Sequence, residues 1–522
     1  MRVRTTFFHR PESPVDPALL RVGATLTGPA IDAAREDRVT ISLDDVPPAL
    51  ARVLSDSVQE LHVRWAARTA GAEPVGPLLS RVSPGLHVFY TPAPGTSEEK
   101  QDAVCTLLRS LFGSHLDCQS VKTSFNYVGD DSQTHQFYAA VDSLAPFAAC
   151  IKADWCPSTA EDGGLCGLRA SQLDGASALD LSYDAYSRNL KVTTQWPLAE
   201  WPLFVTALAG PNDRTEVGIM GSDQPSTLGL HELAMSGVVA VLAQDDRAKP
   251  VMFAFPSRHR TALDGASFSA ALTEPTGLHP TLQLRVTPGP PPRNPEDDGG
   301  GACRLHTYLT LPRHIFADRY QLGDALFLAS KNLTALHHMT QPVDLEAPDY
   351  AVNVWGSAAL IELAPPAAAA VSVSGSGSGS GSGQAAEFTA EIPLHLRYLL
   401  PAAGGYRTVE LPYPTVFWAC EAGGDQDVQF ASNPFDRVNL GYDALFDETT
   451  EFWHVQPAPR STDLVLPIRV PVLDSNMSQW VNIGTSAAIL VGFSWVLWKL
   501  LAVYLRTGYG RPAAVKPTKK TQ

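Results

Sequence analysis

Alternating apolar and polar positions recur along most of this chain and indicate a fold built mainly from strands. In its first half, residues 61–65, 86–90, 238–242 and 282–286 alternate and carry the β-branched and aromatic residues typical of strands. Helical spacing is rarer in this part of the chain. We therefore predict a β-rich α+β domain over residues 1–286.

Two helices are predicted within this domain. Apolar residues from 104 to 112 recur at helical spacing, and Gly113 ends the pattern. Thr96 and Glu99 have the spacing of a capping box at its start. A second, shorter helix is predicted after the prolines at 47–48.

The second half of the chain is almost entirely strand-like. Alternating segments occur at 305–311, 352–355, 392–398 and 464–472. Prolines at and between these segments are typical of sheet edges and turns. A β-sandwich over residues 302–474 is the fold this pattern predicts.

Two segments of biased composition interrupt the chain. Residues 287–301 are rich in proline and glycine, so we predict a linker and a domain boundary there. Residues 372–383 are a glycine/serine tract, typical of a flexible segment. Together with the alanines before it, the tract forms a predicted insert over 364–386, in place of a hairpin loop.

One apolar run is long enough to cross a membrane. Between Asp474 and Lys499 there is no charged residue, and the run continues to Leu505. A helix of about 20 residues spans the hydrocarbon thickness of a bilayer. We predict a transmembrane helix over 479–505, and we disfavour a buried core helix because the run is long and ends in a basic tail.

Charge gives the predicted direction of this helix. The chain has 39 basic and 54 acidic residues, a net charge of −15. From Lys499 onward there are six basic residues and no acidic one, which leaves −21 for the rest. The positive-inside rule places the predicted tail, 506–522, in the cytosol and the large acidic part outside it. This acidic balance also argues against a nucleic-acid partner.

The two ends of the chain bear on its cellular location. Lys519 and Lys520, third and fourth from the last residue, resemble a dilysine retrieval signal for the endoplasmic reticulum. Residues 1–10 lack the apolar core and cleavage site of a conventional signal peptide. Either the C-terminal helix directs translocation, or the sequence lacks its true start; both remain open. We predict a single-pass membrane protein of the endoplasmic reticulum with a lumenal N-terminus.

Cysteine usage fits an oxidising compartment. In the second domain, Cys303 and Cys420 are the only cysteines and form a candidate disulfide. The first domain contains the other five: Cys105, Cys118, Cys150, Cys156 and Cys166. Their spacing lacks the CxxC pairs of a structural zinc site, so disulfide-bonded or buried cysteines are predicted. The odd total leaves at least one thiol free or intermolecular.

No motif in the sequence predicts catalysis, a metal or a cofactor. His231 and Glu232 begin like HExxH, but Met235 stands where the second histidine ligand belongs. His337 and His338 are adjacent in the sequence, and we interpret them as a surface pair rather than as a set of metal ligands. GxSxG and phosphate-loop patterns are both missing from the sequence. A lumenal hydrolase is therefore disfavoured.

Two kinds of candidate site remain. Asn332 and Asn476 begin N-glycosylation sequences, and Asn476 is doubtful because it lies so close to the bilayer. Small or polar residues in the membrane helix form a candidate interface with a partner helix, since they allow close approach. They are Asn482, Gly484, Ala488 and Gly492. For Asn482, interfacial water is the alternative partner.

Five sequence blocks resemble the PIG-X / Pbn (protease B non-derepressible) family. They occur in order before or at the start of a single C-terminal apolar helix, as the family pattern requires. The blocks are Leu305–Leu322, Asp344–Tyr350 (Asp-Leu-Glu-Ala-Pro-Asp-Tyr), Ile392–Tyr398 (Ile-Pro-Leu-His-Leu-Arg-Tyr), Phe417–Glu421 and Leu466–Val472. The blocks occur over roughly residues 302–505, about two fifths of the chain, and the glycine/serine insert is a departure from the pattern.

The resemblance implies a noncatalytic subunit of glycosylphosphatidylinositol (GPI) mannosyltransferase I. Its implied partner is the polytopic catalytic subunit, of PIG-M type, which adds the first mannose to the anchor precursor. A single helix cannot by itself build a membrane cavity for a polyprenyl-linked sugar, so the residues independently favour an accessory role. The alternative is a general lumenal chaperone for secretory or vacuolar proteins.

Overall fold

The computed structural model is mainly β, as predicted. It describes residues 1–69, 74–128, 133–156, 166–167, 169–208, 210, 212–262, 265–273, 277–292, 302–340, 343–365, 387–422, 429–458 and 463–508. The described strands are β1 (Arg2–His9), β2 (Thr25–Thr27), β3 (Ile31–Ser42), β4 (Val58–Ala66), β5 (Gly85–Pro92), β6 (Asn126–Tyr127), β7 (His135–Ala139), β8 (Ala178–Asp184), β9 (Asn189–Trp201), β10 (Phe204–Thr206), β11 (Arg214–Asp223), β12 (Glu232–Val241), β13 (Lys249–Pro256), β14 (His259–Thr261), β15 (Ser267–Leu272), β16 (Thr281–Thr287), β17 (Cys303–Pro312), β18 (Ile315–Phe316), β19 (Leu333–Met339), β20 (Gly356–Leu363), β21 (Phe388–Pro393), β22 (His395–Leu396), β23 (Tyr406–Pro412), β24 (Thr415–Glu421), β25 (Thr450–His454), β26 (Gln456–Pro457) and β27 (Val465–Pro471).

Helices are few in the described ranges. They are α1 (Pro48–Ser57), α2 (Glu98–Phe112), α3 (Val121–Ser124), α4 (Ala145–Cys150), α5 (Ala325–Ser330) and α6 (Ser478–Thr507). Both predicted helices of the first domain are confirmed as α1 and α2. The predicted capping box is wrong, because Ser97 is the N-cap of α2 and the Thr96 hydroxyl donates instead to the Ala93 carbonyl.

A large sheet organises the first part of the chain. Its strand order is β13-β12-β11-β1-β3-β9-β8-β4-β5-β7-β6. β1 pairs with β11 in parallel and with β3 antiparallel. The neighbours Phe7 and Phe8 on β1 are both buried, and they point into different core clusters because successive strand residues face opposite sides of a sheet.

Two further sheets form the predicted β-sandwich. The six-stranded sheet has the order β14-β25-β24-β17-β20-β19, and the four-stranded sheet has the order β21-β16-β15-β26. β14, β15 and β16 precede the linker at 287–301, yet they pair with strands that follow it. Residues 293–301 lie outside the described part of the chain, so the boundary there stays a prediction.

One core joins the large sheet to the sandwich. Val88 and Leu108 from the first part belong to the same buried cluster as Tyr308, Leu360 and Phe417 from the second. Consequently β17 is buried along most of its length on both faces. Residues 1–398 and 409–468 form one compact unit, and residues 399–408 with those from 469 onward form another.

Two local predictions in the second domain are wrong. Residues 352–355 are irregular, and the strand begins at Gly356. The reason is tertiary, because Trp355 Nε1 donates to the Gln136 carbonyl on β7 and fixes this segment against the large sheet. The insert at 364–386 does not replace a hairpin loop, since β20 and β21 on either side belong to different sheets. Residues 366–386 themselves lie outside the described part.

Candidate functional site

Three of the sequence blocks that carry the family resemblance meet in the folded chain. β18 of the first block pairs with β22 of the third. The second block joins them because the Asp349 N–H donates to the Tyr398 carbonyl at 3.0 Å. These blocks therefore form one spatial cluster, which we call the motif junction: Ile315–Phe316, Asp344–Tyr350 and His395–Tyr398.

Arg397 anchors the motif junction. Its Nε donates to the Arg313 carbonyl at 2.9 Å, and its Nη1 donates to the Ala347 carbonyl at 2.8 Å. The guanidinium also lies over the Phe316 ring, 4.5 Å from the centroid. Arg397 is only 5% exposed. It thus holds the three blocks together through carbonyl oxygens and a cation–π contact.

Burial lowers the pKa of Arg397, while Asp344 and Asp349 act in the opposite direction. An arginine is never deprotonated under ordinary conditions, so the guanidinium stays a cation. Its donors already bind backbone oxygens of the same chain. We conclude that Arg397 has a positioning role rather than a reactive one.

Three tyrosines at or next to the motif junction are exposed. Tyr320, Tyr350 and Tyr398 are 74%, 60% and 68% exposed. The segment that carries Tyr320 reaches the junction because His395 Nε2 lies 3.3 Å from Gln321 Oε1. Tyrosine is enriched at protein interfaces, where its ring buries much area at little entropic cost. We call these residues the tyrosine surface.

A recess of about 490 Å³ opens beside the junction. Three cationic side chains line it, namely Lys122, Arg313 and Arg397. Asp344 is an acidic residue among the lining side chains, and Phe316 supplies an apolar wall. Lys122 and Arg313 already pair with acids of the same chain (Glu98, Asp117 and Asp349), so the lining is of mixed charge.

A buried ion-pair network links the large sheet to the second half of the chain. Arg437 binds Asp180 bidentately, with Nε–Oδ2 at 2.7 Å and Nη2–Oδ1 at 2.8 Å. Arg64, which is 2% exposed, lies 3.8 Å from the same carboxylate, and its Nε and Nη2 both donate to the Val438 carbonyl. Burial lowers the pKa of Arg64. The Asp180 carboxylate thus pairs with two buried cations, and Asp443 also opposes the effect of burial on Arg64.

A second polar cluster consists of buried histidines and acids. His259 Nδ1 lies 2.9 Å from His454 Nε2, and His259 Nε2 lies 3.6 Å from Asp436. His231, the first residue of the HExxM sequence, pairs with Glu451 at 2.9 Å. These contacts join His231, just before β12, and His259, on β14, to residues of β25.

The buried histidines predict acid sensitivity of the fold. Burial lowers the pKa of His87 and His314 to about 4 and that of His454 to about 3, from an ordinary 6.5. The unfolded chain then takes up protons below pH 6.5 while the folded chain does not, so stability falls between pH 6.5 and about 4. Burial raises the pKa of Asp436 to about 7, so this one group takes up a proton in the folded chain and opposes the loss of stability at lower pH.

We therefore expect the melting temperature to decrease when the pH is lowered from 7.5 to 4.5. Thermal unfolding followed by circular dichroism measures this. His314→Gln, which keeps a donor for the Glu410 carbonyl, should make the decrease shallower. A melting temperature that rises on acidification would contradict the assignment.

Three disulfides are present in the structure. Cys303 and Cys420, the candidate pair, are bonded with S–S at 2.06 Å. The bond joins directly opposed residues of β17 and β24. Two further disulfides link Cys105 with Cys118 and Cys156 with Cys166. Cys150 is the free thiol.

The predicted glycosylation sites are both exposed. Asn332 has a left-handed backbone with φ 55°, and its Nδ2 donates to the Thr389 carbonyl at 2.7 Å. Asn476 lies in the turn before α6, where its N–H donates to Asp474. Exposure permits modification, so both sites stay predictions.

The C-terminal helix is long and apolar enough to cross a membrane over Ser475–Arg506. Each residue advances about 100° around an α-helix, so the sequence spacing of the candidate interface residues gives their positions around its axis. Gly484, Ala488 and Gly492 therefore share one stripe, whereas Asn482 lies about 160° from Gly484. All four are exposed. Lys519 and Lys520 lie outside the described residues.

Sequence patterns alone missed the two buried arginine sites. Arg397 occupies a polar position in an alternating segment, and burial was not expected of it. Asp180 carries a usable signal, since it is an isolated acid between Leu179 and Leu181. Its two cationic partners come from 64 and 437, so no local pattern could identify them.

Several known proteins are similar in sequence to this chain. The family described as PIG-X / PBN1 matches residues 275–501, which contain the motif junction and most of the C-terminal helix. The chain is 44% identical to Protein pbn1 of Neurospora crassa over 100% of both chains. It is 40% identical to Protein PBN1 of Gibberella zeae, over 100% of this chain and 99% of that one. The Saccharomyces cerevisiae Protein PBN1 is 27% identical over 44% of each chain. With this identity over its full length, the chain belongs to the PIG-X / PBN1 family.

Proposed function

We propose that the chain is a noncatalytic subunit of GPI mannosyltransferase I that stabilises the polytopic catalytic subunit in the endoplasmic-reticulum membrane. Membership of the PIG-X / PBN1 family supports a role in GPI-anchor biosynthesis. The motif junction is the observation that carries the finer proposal. It combines a buried anchor, Arg397, with exposed tyrosines and a recess, which suits binding to a protein rather than bond chemistry.

The C-terminal helix supports the same proposal. Its described side chains between 481 and 501 are exposed within this chain, so lipid or another helix must cover them. Gly484, Ala488 and Gly492 would allow a neighbouring helix to approach closely along one stripe. Asn482 faces another direction and would be satisfied either by interfacial water or by a second helix. Residence in the endoplasmic reticulum, with the N-terminus lumenal, is part of the proposal.

A general lumenal chaperone is the alternative function, and an exchange thiol would be one way to perform it. Cys150 is the only reduced cysteine, and all seven cysteines are described. Burial and Asp154 raise the pKa of Cys150 to about 11. Thiol–disulfide exchange needs a thiolate, so this cysteine is poorly suited to it. The properties of Cys150 therefore do not support redox-assisted folding of clients by this chain.

Changing Tyr350 and Tyr398 together to alanine should weaken binding of the catalytic subunit by at least about 10-fold, because tyrosine is enriched among the interface residues whose truncation costs ~2 kcal/mol or more. In cells depleted of the endogenous protein, the wild-type chain should restore catalytic-subunit abundance and mannosylation of the anchor precursor. The double variant should restore neither. Co-purification from detergent, quantified by immunoblot, gives the binding change.

Tyr186→Ala is the matched control, since Tyr186 is fully exposed but lies outside the motif junction. It should behave like the wild type, and all three proteins should melt at the same temperature. If depletion leaves catalytic-subunit abundance unchanged, the proposed function is wrong. If the double variant complements fully, the tyrosine surface is not the binding surface. Recovery of many secretory clients without the mannosyltransferase would favour the chaperone alternative.

A further inference from the structure

Three potential metal ligands come together on one face of the six-stranded sheet. They are His306 on β17, Glu362 on β20 and His337 on β19, and their ligand atoms all lie within 4.8 Å of one another. His306 and Glu362 are directly opposed across the β17–β20 pairing. His337, which the sequence indicates as a surface pair with His338, thus lies close to two further potential ligands.

A β-bulge brings the third ligand into place. The register of β19 against β20 shifts between Leu336 and His338, so His337 is the extra residue. Bulges re-aim side chains and are frequent at binding sites. Here His337 Nε2 reaches Glu362 Oε2 at 2.6 Å.

His306 is held in an orientation that suits a ligand. Its side chain is 3% exposed, stacks on Phe417 and meets Phe446 edge-on. Nδ1 lies 3.0 Å from the Arg304 carbonyl, to which it donates as the N–H tautomer. That leaves Nε2 with its lone pair available. In a metal-binding histidine, the ring nitrogen that does not bind the metal usually donates a hydrogen bond to a group such as a backbone carbonyl.

The rearrangement that binding requires is small. Zinc–nitrogen and zinc–oxygen bonds of about 2.0–2.1 Å in a tetrahedron place neighbouring ligand atoms about 3.3 Å apart. His337 and Glu362 would separate slightly from their direct contact, and both would move toward His306. The side chain of His337 is 36% exposed and has room to turn. Arg304, 3.9 Å from Glu362, competes for that carboxylate, but its side chain is 61% exposed and can move into solvent.

We propose that His306, His337 and Glu362 bind one divalent transition-metal ion of the zinc type. Two imidazoles and one carboxylate suit such an ion better than magnesium or calcium, which prefer oxygen ligands. Water completes the coordination on the exposed side. The ion links three neighbouring strands and fixes β19, the edge strand, to β17 in the sandwich core.

The test uses the full chain, purified in detergent without a histidine tag and stripped with a chelator. Zinc chloride is titrated by isothermal calorimetry, and cobalt chloride is followed by its visible absorption. Wild-type protein should bind one zinc ion per chain, melt at a higher temperature with zinc, and show the absorption of four-coordinate cobalt. The variants His337→Ala and Glu362→Gln should each fail to bind this zinc ion.

His338→Ala is the matched control on the same strand, and it should bind zinc like the wild type. His337→Ala changes a partly exposed side chain, so its metal-free melting temperature should stay near the wild-type value. The proposal is overturned if the wild type binds no stoichiometric zinc. It is equally overturned if His337→Ala retains the ion, as binding at a different histidine pair, His279 and His395, would cause.

Discussion

Replacing Asp180 with alanine is expected to lower the free energy of unfolding by about 3–5 kcal/mol, as for other broken buried ion pairs. The reason is that Arg64 and Arg437 would lose the one carboxylate that both contact directly, although Asp443 would still act on Arg64 from a greater distance. Arg437 is 5% and Asp180 8% exposed in their side chains, so water cannot readily replace the lost partner. Chemical denaturation of the detergent-solubilised chain, followed by tryptophan fluorescence, measures the change.

An exposed ion pair provides the control. Asp463 pairs with Arg68 at 3.2 Å, but its side chain is 56% exposed. Asp463→Ala should therefore cost no more than about 1 kcal/mol. Asp180→Glu, which keeps the charge, should recover part of the loss. Equal effects of Asp180→Ala and Asp463→Ala would mean that the buried network does not stabilise the fold.

Removing the Cys303–Cys420 disulfide by changing both cysteines to alanine should destabilise the protein by about 2–5 kcal/mol. Its two residues are 117 apart in the sequence, so the bond closes a long loop in the unfolded chain. In the chain-entropy account, a loop of about 100 residues corresponds to ~4.7 kcal/mol and one of 15 residues to ~3 kcal/mol. Melting temperatures under non-reducing conditions measure the loss.

Variants of the other cysteines provide comparisons for this loss of stability. Cys105 and Cys118 are separated by 13 residues, so removing that disulfide should cost less. Cys150→Ala should change stability by no more than about 0.5 kcal/mol, because this thiol forms no disulfide. If removing Cys303 and Cys420 has no larger effect than Cys150→Ala, the bond does not constrain the unfolded chain.

Both predictions concern connections between distant parts of the sequence. Asp180 and Arg437 join the large sheet to the loop that precedes β25, and Cys303 and Cys420 join two strands of the sandwich. Loss of either connection should therefore lower the melting temperature. Tyrosine-surface variants act without unfolding, so melting curves distinguish the two kinds of defect.

Local patterns predicted most of the regular structure, and the reason is that they depend on near neighbours. The helix over 98–112 and the strands β4, β5, β16 and β17 follow apolar periodicity, which records which face of an element is buried. The segment 352–355 alternates equally well but is irregular. Its conformation follows from a hydrogen bond between Trp355 and β7, and hydrophobic periodicity cannot predict such a contact between distant residues.

The candidate sites, like the regular structure, could be predicted only in part from the sequence. The sequence alone indicated the pairing of Cys303 with Cys420, because few alternatives existed in that part of the chain. It also indicated the blocks of the motif junction, but gave no reason for them to be close together. The tertiary structure supplies that reason in Arg397, whose hydrogen bonds reach carbonyls of two other segments.

By itself, the sequence determined the mainly β composition, the single apolar helix and membership of a family, since each depends on the order of residues along the chain. Only the tertiary structure decided which distant residues meet. It placed Asp180 between two arginines, and it placed His337 on a bulge beside His306 and Glu362. The physical reason is that strand pairing and register set these contacts over long sequence separations, where no local periodicity acts.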